Sequence, residues 1–180
     1  MTMADTVAVM NKGRIEQMGA PEELYELPKT VFVANFLGQS NLFPVQVTGA
    51  TDTAVHTNFN GHRITVARTR SERDSGTITV GVRPEKLRLH TSAPADTAGI
   101  NVVGPGRITD VSFIGVSTQY TVNSDEFGDV QVFAQNVESG PVGKRGDEVW
   151  LSWLAEHTFG LLDDHLETGS LTTEASTRAI

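Results

Sequence analysis

Cysteine is missing from the 180 residues, and tryptophan and tyrosine occur only twice each. Without thiols there is no disulfide framework and no thiolate zinc site, and the composition fits a reducing compartment. Basic residues are also scarce: 14 Lys and Arg stand against 22 Asp and Glu, a net charge of −8 with histidine neutral. Acidity of that size repels phosphate backbones and anionic membrane surfaces, so nucleic-acid binding is not expected. The uncharged apolar runs fall far short of a bilayer span, so direct membrane insertion is not expected either. No basic, apolar leader is seen, and with it no secretion signal.

Several catalytic patterns are missing too. No Gly-x-Ser-x-Gly elbow occurs. His56, His62, His90 and His157 are scattered without His-x-x-x-His spacing, which leaves a zinc hydrolase unsupported. The one Gly-Lys pair, Gly143-Lys144, is followed by Arg145 where a phosphate loop needs Ser or Thr, and Glu138 stands where its first glycine belongs. Gly104-Pro105-Gly106 is a turn that lacks the third glycine of a dinucleotide fingerprint. Asp163-Asp164-His165 has metal-ligand chemistry, but neighbours on an extended segment point opposite ways, which favours solvated surface.

What is present changes character once, at Phe32–Phe43. Before that stretch the pattern is a hairpin followed by helices. Thr6–Met10 reads as a strand, Asn11-Lys12-Gly13 as a turn, and Arg14–Met18 as the returning strand. Pro21, with Glu22 and Glu23 behind it, opens a helix whose buried side is marked by Leu24 and Leu27 and which Pro28 ends. Thr30 is placed to cap a second helix, with Val33, Phe36 and Leu37 as its apolar face. Gly38 stops that helix, where a left-handed C′ residue costs glycine little. A hairpin and two short helices bury little on each other, so this piece reads as the tail of a larger domain.

After Gly38 the period becomes two. Val45 and Val47 alternate, as do Ile64 and Val66, then Ile78, Val80 and Val82, then Leu87 and Leu89. Further runs surround Gly115, follow Gly128, and cover Val149, Leu151 and Trp153. Many short strands at regular spacing predict a small barrel or sandwich, divided in two by the Ala/Pro/Asp/Thr loop at 91–99. Phe113, Tyr120, Phe127 and Phe133 are read as core packing in preference to base stacking. Trp150 and Trp153 fall on opposite faces of one strand, one toward the core and one toward an interface.

These segments resemble a known family. Ala4–Pro28, with Ala-Asp-Thr-Val-Ala-Val-Met at its start, is similar to the end of the nucleotide-binding domain of ABC-type importer ATPases. Phe32–Asn41 resembles the passage from that domain into a C-terminal TOBE domain. Gly81-Val82-Arg83-Pro84-Glu85 resembles the TOBE signature Gly-x-Arg-Pro-Glu. Ser112-Phe113-Ile114-Gly115 with Tyr120, and Val149-Trp150-Leu151-Ser152-Trp153, fit its second half. The Leu-Ser-Trp ending with Glu156-His157 points to the ATP-binding subunits of spermidine/putrescine-type importers.

The resemblance implies a mainly β chain: an OB-like TOBE barrel or sandwich at 45–166, reached by a linker at 39–44. Ahead of it, 1–38 is a hairpin-plus-helices remnant of an α/β nucleotide-binding domain, and 167–180 is a disordered tail. It implies a regulatory and coupling role in ATP-driven uptake, of the polyamine class, on the cytoplasmic face of the cell membrane. The partners would be a second ATP-binding subunit, as a homodimer, and membrane permease subunits. No catalytic, cofactor or metal residue is assigned, since ATP and magnesium belong to elements upstream in the family. Arg83, Pro84, Glu85, Phe113, Gly115 and Trp153 are the candidates for subunit-interface or regulatory contacts, although for Arg83 and Glu85 a simple ion pair or a solvated pair is the preferred reading. The alternative is a free-standing TOBE-type protein sensing a polyamine or an oxyanion.

The missing phosphate loop gives the first expected outcome. Purified alone, this chain binds and hydrolyses no ATP, because it offers no amide cradle, lysine or magnesium ligands to a transferring phosphoryl group. ATP turnover that survives repurification would contradict this.

Overall fold

The computed structural model describes residues 4–136 and 143–162. Asp163-Asp164-His165 and the expected tail lie outside them. Among the described residues no helix is long and apolar enough to cross a membrane.

The chain begins with a hairpin of β1 (Val7–Asn11) and β2 (Arg14–Gly19), closed by Lys12 at φ 47 and Gly13 at φ 80. Two left-handed residues in sequence match the twist of the strands they join. Helix α1 (Pro21–Glu26) carries Pro21 and two glutamates in its first turn, and in α2 (Val31–Leu37) the Thr30 hydroxyl accepts from the Val33 amide at 3.2 Å. Val9, Leu24 and Val33 form a small core between them.

Leu27 and Phe36, expected on buried faces, are exposed; Phe36 is 65% accessible and stacks on Phe32 at 6.0 Å. The hairpin and two short helices have too little surface to cover every apolar side chain they carry. Gly38 sits at φ 164, extended backbone open to any residue, so handedness does not select glycine there. The space does: a Cβ would lie 3.3 Å from the Tyr25 ring and 3.6 Å from the Arg83 guanidinium. The expected linker also ends early. Asn41 already opens β3 (Asn41–Ala50), because Asn41–Gln46 pair with Val82–Thr77 of β6.

The β body is built twice. The first half runs β3, β4 (Ala54–Phe59), β5 (His62–Ala67), β6 (Thr77–Val82), a 3-10 turn at Pro84–Lys86 and β7 (Arg88–His90). The second runs β8 (Ile100–Phe113), β9 (Ser117–Ser124), β10 (Gly128–Gln135), β11 (Glu148–Leu154), a 3-10 turn at Ala155–His157 and β12 (Phe159–Leu161). The loop at 91–99 separates them. Among the described residues these strands pair antiparallel, in sheets ordered β12-β6-β3-β4-β5 and β7-β11-β8-β9-β10. Each half therefore gives its last strand to the other's sheet. One core lies between the sheets, with Phe43 5.1 Å from Phe59 and 6.4 Å from Trp153.

The repetition reaches single residues. Asn41 opens β3 and its amide pairs with Gln131 in β10, donating to the carbonyl and accepting from the amide at 2.8 Å each. Asn101, near the start of β8, does the same to Thr65 in β5, at 2.9 and 2.8 Å. Thr48 and Thr109 occupy matching bulges, and each hydroxyl donates to the carbonyl of a residue on the next strand, His56 and Thr121. Two side-chain amides thus satisfy backbone groups on the edge strands β5 and β10, where no further strand continues the ladder.

Asn101 is 1% exposed and also donates to the Thr158 hydroxyl at 2.9 Å, which in turn accepts from the Trp153 indole at 2.8 Å. Asn101→Ala takes away the partner of the half-buried Thr65 amide and carbonyl, so it is expected to cost about 1 to 3 kcal/mol. Asn123→Ala, on the surface, should stay within about 0.5 kcal/mol. Denaturant unfolding of both variants measures the difference; equal effects would remove the amide bridge from the account of the fold.

Candidate functional site

Arg83 follows the last residue of β6 and is 1% exposed, one of the largest fully buried side chains of the protein. Pro84 behind it starts the 3-10 turn and turns the chain toward β7, which leaves the guanidinium pointing at the end of α2. Nη1 donates to the Ala34 carbonyl at 2.9 Å and the Ser40 hydroxyl at 2.7 Å, with the Gly38 and Gln39 carbonyls at 3.2 and 3.3 Å. Nη2 donates to the Tyr25 carbonyl at 2.8 Å. The guanidinium carbon lies 4.1 Å above the Tyr25 ring and 5.6 Å from the Phe159 ring.

The arrangement follows from helix ends. The last carbonyls of a helix have no partner within it and carry partial negative charge, so a cation with several fixed donors suits that position. Arginine supplies them in one planar group, stays charged, and stacks on an aromatic face, which lysine cannot match. Burial lowers the Arg83 pKa from its ordinary value, opposed by the Tyr25, Glu85 and Glu26 charges.

No ion pair joins Arg83 to Glu85, and of the two only Glu85 faces water. Glu85 is exposed and accepts instead from the Tyr25 hydroxyl at 2.7 Å, so Arg83 covers the face of the ring and Glu85 holds its hydroxyl. Beside them Glu26 faces Lys86 at 3.3 Å and Arg70 at 3.6 Å, and the Arg70 guanidinium also donates to the Glu26 carbonyl. His157 borders this group, its pKa lowered by burial and then by Lys86. Ala34 packs with Phe159 and Leu161 of β12. The C-terminal end of α1, Ala34 of α2 and the residues that follow α2 are therefore bound to the β body, to Arg83 of its first half and, through Ala34, to β12 of its second.

Arg83, Pro84 and Glu85 thus meet at one place. Phe113 and Gly115 stand elsewhere, at the β8–β9 tip, where Gly115 takes φ 70 and Phe113 is 76% exposed. Trp153 corrects an expectation: it is 2% exposed, stacked on Phe43 in the core, and has no face to offer a partner. Trp150 is the half-buried member of that strand, lying against Gly104. Sequence reasoning missed Tyr25, Ala34 and Ser40. Their link to Arg83 spans 43 to 58 residues and leaves no local pattern.

The joint holds a pH-sensitive group. Burial pushes the Tyr25 hydroxyl up to about 12 from 10.0, and the bond and charge of Glu85 add to this. A proton held more tightly in the folded state stabilises below the unfolded pKa and is lost as pH rises through the folded one. Stability should fall between pH 10.0 and about 12, and Tyr25→Phe should flatten that fall; denaturant unfolding across this range shows it, and identical slopes would contradict it.

Comparison with known proteins is consistent with this geometry. Residues 80–161 match the TOBE domain family. The chain is 39% identical over 163 residues to Spermidine/putrescine import ATP-binding protein PotA of Thermobifida fusca, covering 89% of this chain and 41% of that one. The same-named protein of Frankia alni is 39% identical over 172 residues, covering 89% and 36%, and that of Acidothermus cellulolyticus 36% over 180 residues, covering 98% and 45%. The chain spans about two fifths of the length of these curated relatives. Among solved structures, the cytoplasmic molybdate-binding protein ModG has the same fold at a TM-score of 0.52, with 14% identity over 67% of this chain and 94% of that one. With a TOBE domain joined by a buried arginine to the segment before it, and relatives matching across both, the chain belongs to the ABC importer ATP-binding subunits, as their C-terminal part.

Proposed function

We propose that this chain is the regulatory and coupling part of a polyamine-class importer subunit, passing movement between an ATP-binding domain and the rest of a transporter. The observation that carries this reading is the Arg83 joint. The segment similar to the end of the relatives' ATP-binding part is held to the β body by a buried cation with five acceptors, so the two move as one. The names of these relatives supply the substrate class. ATP and magnesium are not assigned to this chain, because Gly143-Lys144-Arg145 does not fit a phosphate loop.

Partners on this reading are a second ATP-binding subunit and membrane permease subunits, at the cytoplasmic face of the membrane. The β8–β9 tip is the contact we assign to them. Phe113, Ile114 and Val116 are 76%, 57% and 85% exposed there, while the equivalent β3–β4 tip is the polar Thr51-Asp52-Thr53. The fold does not need an apolar tip, so its apolarity suits a partner. The free-standing sensor is the less favoured reading, because relatives matched over most of the chain bear an importer's name.

A chimera tests this: the ATP-binding part of the Thermobifida fusca relative, continued by this chain, in cells lacking their own polyamine importer. Spermidine uptake should be restored, and should be lost when Phe113, Ile114 and Val116 are all changed to Ser. Undiminished uptake in the triple variant would remove the tip from the coupling role. An ATP-hydrolysing chimera that assembles but imports no polyamine would overturn the substrate class.

A further inference from the structure

The β4–β5 turn is built on Asn60-Gly61, the one Asn-Gly pair in the sequence. Phe59 pairs with His62, so the loop consists of these two residues alone, at φ 48 and φ 94. Asparagine and glycine tolerate that left-handed backbone better than other residues, which accounts for the choice. The same pair is also reactive. Glycine leaves its own amide nitrogen unshielded, so that nitrogen can reach the side-chain carbonyl carbon of the asparagine before it. Both residues are exposed, and a Cβ at Gly61 would meet open space.

The folded turn holds both reacting groups. The Gly61 N–H donates to the Asn58 Oδ1 at 3.0 Å, and the Asn60 Nδ2 donates to the Glu126 carbonyl in the β9–β10 turn. Beside that bond His62 Nε2 lies 2.7 Å from the Glu126 carboxylate, and the His62 ring meets Phe127 edge-on at 6.4 Å. A carboxylate only accepts, so His62 Nε2 carries the proton. Nucleophile and leaving group are thus each engaged elsewhere. The engagement of Asn60 also joins the two halves of the β body, across 66 residues of chain.

We propose that Asn60-Gly61 is a self-modification site, restrained by the contact between the halves and destroying that contact when it reacts. Gly61 N gives its proton to solvent base and bonds to Asn60 Cγ; the Cγ–Nδ2 bond breaks, and Nδ2 takes up a proton and leaves as ammonia. Water then opens the resulting succinimide at either carbonyl and leaves aspartate or isoaspartate at position 60, with nothing oxidised or reduced. The reaction has to wait for the turn to open locally, since both groups are tied in the closed form. Its product cannot return to the starting contact. A carboxylate has no N–H for the Glu126 carbonyl, and it adds negative charge where the exposed Asp125 and Glu126 already stand. Isoaspartate also lengthens the backbone inside a loop that has room for two residues. The site involves neither the Arg83 joint nor the β8–β9 tip, so it stands or falls apart from the transporter reading.

The test is peptide mapping by mass spectrometry after the full chain is incubated at mildly alkaline pH, folded and in denaturant, with isoaspartate detected by enzymatic methylation. In the folded chain position 60 should gain about 1 Da faster than any other asparagine, and in denaturant it should react about tenfold or more faster again. Asn58→Ala frees the Gly61 amide, so it should speed the folded reaction several-fold and leave the rate in denaturant unchanged. Asn58→Asp keeps an acceptor for that amide and should not speed it, which keeps the comparison available should the alanine variant fail to fold. In the NMR spectrum of the modified chain the His62 and Phe127 signals should move. Equal rates in the folded and denatured chain would overturn the proposal. So would an unreacted position 60 in the folded chain while the denatured chain converts, or unmoved His62 and Phe127 signals after modification.

Discussion

One buried guanidinium decides how this chain is assembled. Taking a charge out of water is costly, and Arg83 offsets that cost only because α1, α2 and the residues after them present carbonyls and an aromatic face to it. The dependence runs both ways. The α2 carbonyls need a partner, and the β body supplies one from the end of its first repeat. Gly38 is fixed by the same constraint, since its backbone passes beside the guanidinium and the Tyr25 ring.

The second organising feature is repetition with exchange. Because β7 joins the second sheet and β12 the first, neither half completes its own sheet. Asn41 and Asn101 then bridge the two central strands to edge strands in the opposite half. Strand exchange and amide bridges together make one core from two similar units. Joining residues 80–161 to the strands before them follows from the same exchange, since β12 pairs with β6 and β6 with β3. Matched positions also separate what the fold requires from what it permits. The asparagines and bulge threonines recur, while the tips and outer faces differ.

Much of this was legible in the sequence. The hairpin turn at Lys12-Gly13, the Thr30 cap, the alternating strands and the break at 91–99 all follow from local chemistry. The signature around Arg83 marked the site correctly but not its partners. A pairing with Glu85 is the natural expectation for neighbours, whereas the acceptors come from a helix end more than 40 residues earlier. Trp153 and Phe36 changed sides for a related reason. Period-two and helical patterns name two faces, and only the packing of distant elements decides which one is covered. The contact of Asn60 and His62 with Glu126 could not be read at all until the fold brought their two turns together.

Arg83 holds α2 to the β body as a single cooperative unit. Hydrogen exchange of the full chain, with Arg83→Met beside it, tests this most directly. The Ala34–Leu37 amides of the unaltered chain should be protected to the same degree as those of Val80–Val82. In the variant, protection should fall across residues 21–40 and persist in β8, β9 and β11. Rapid exchange of α2 in the unaltered chain, or unchanged protection of α2 in the variant, would contradict it.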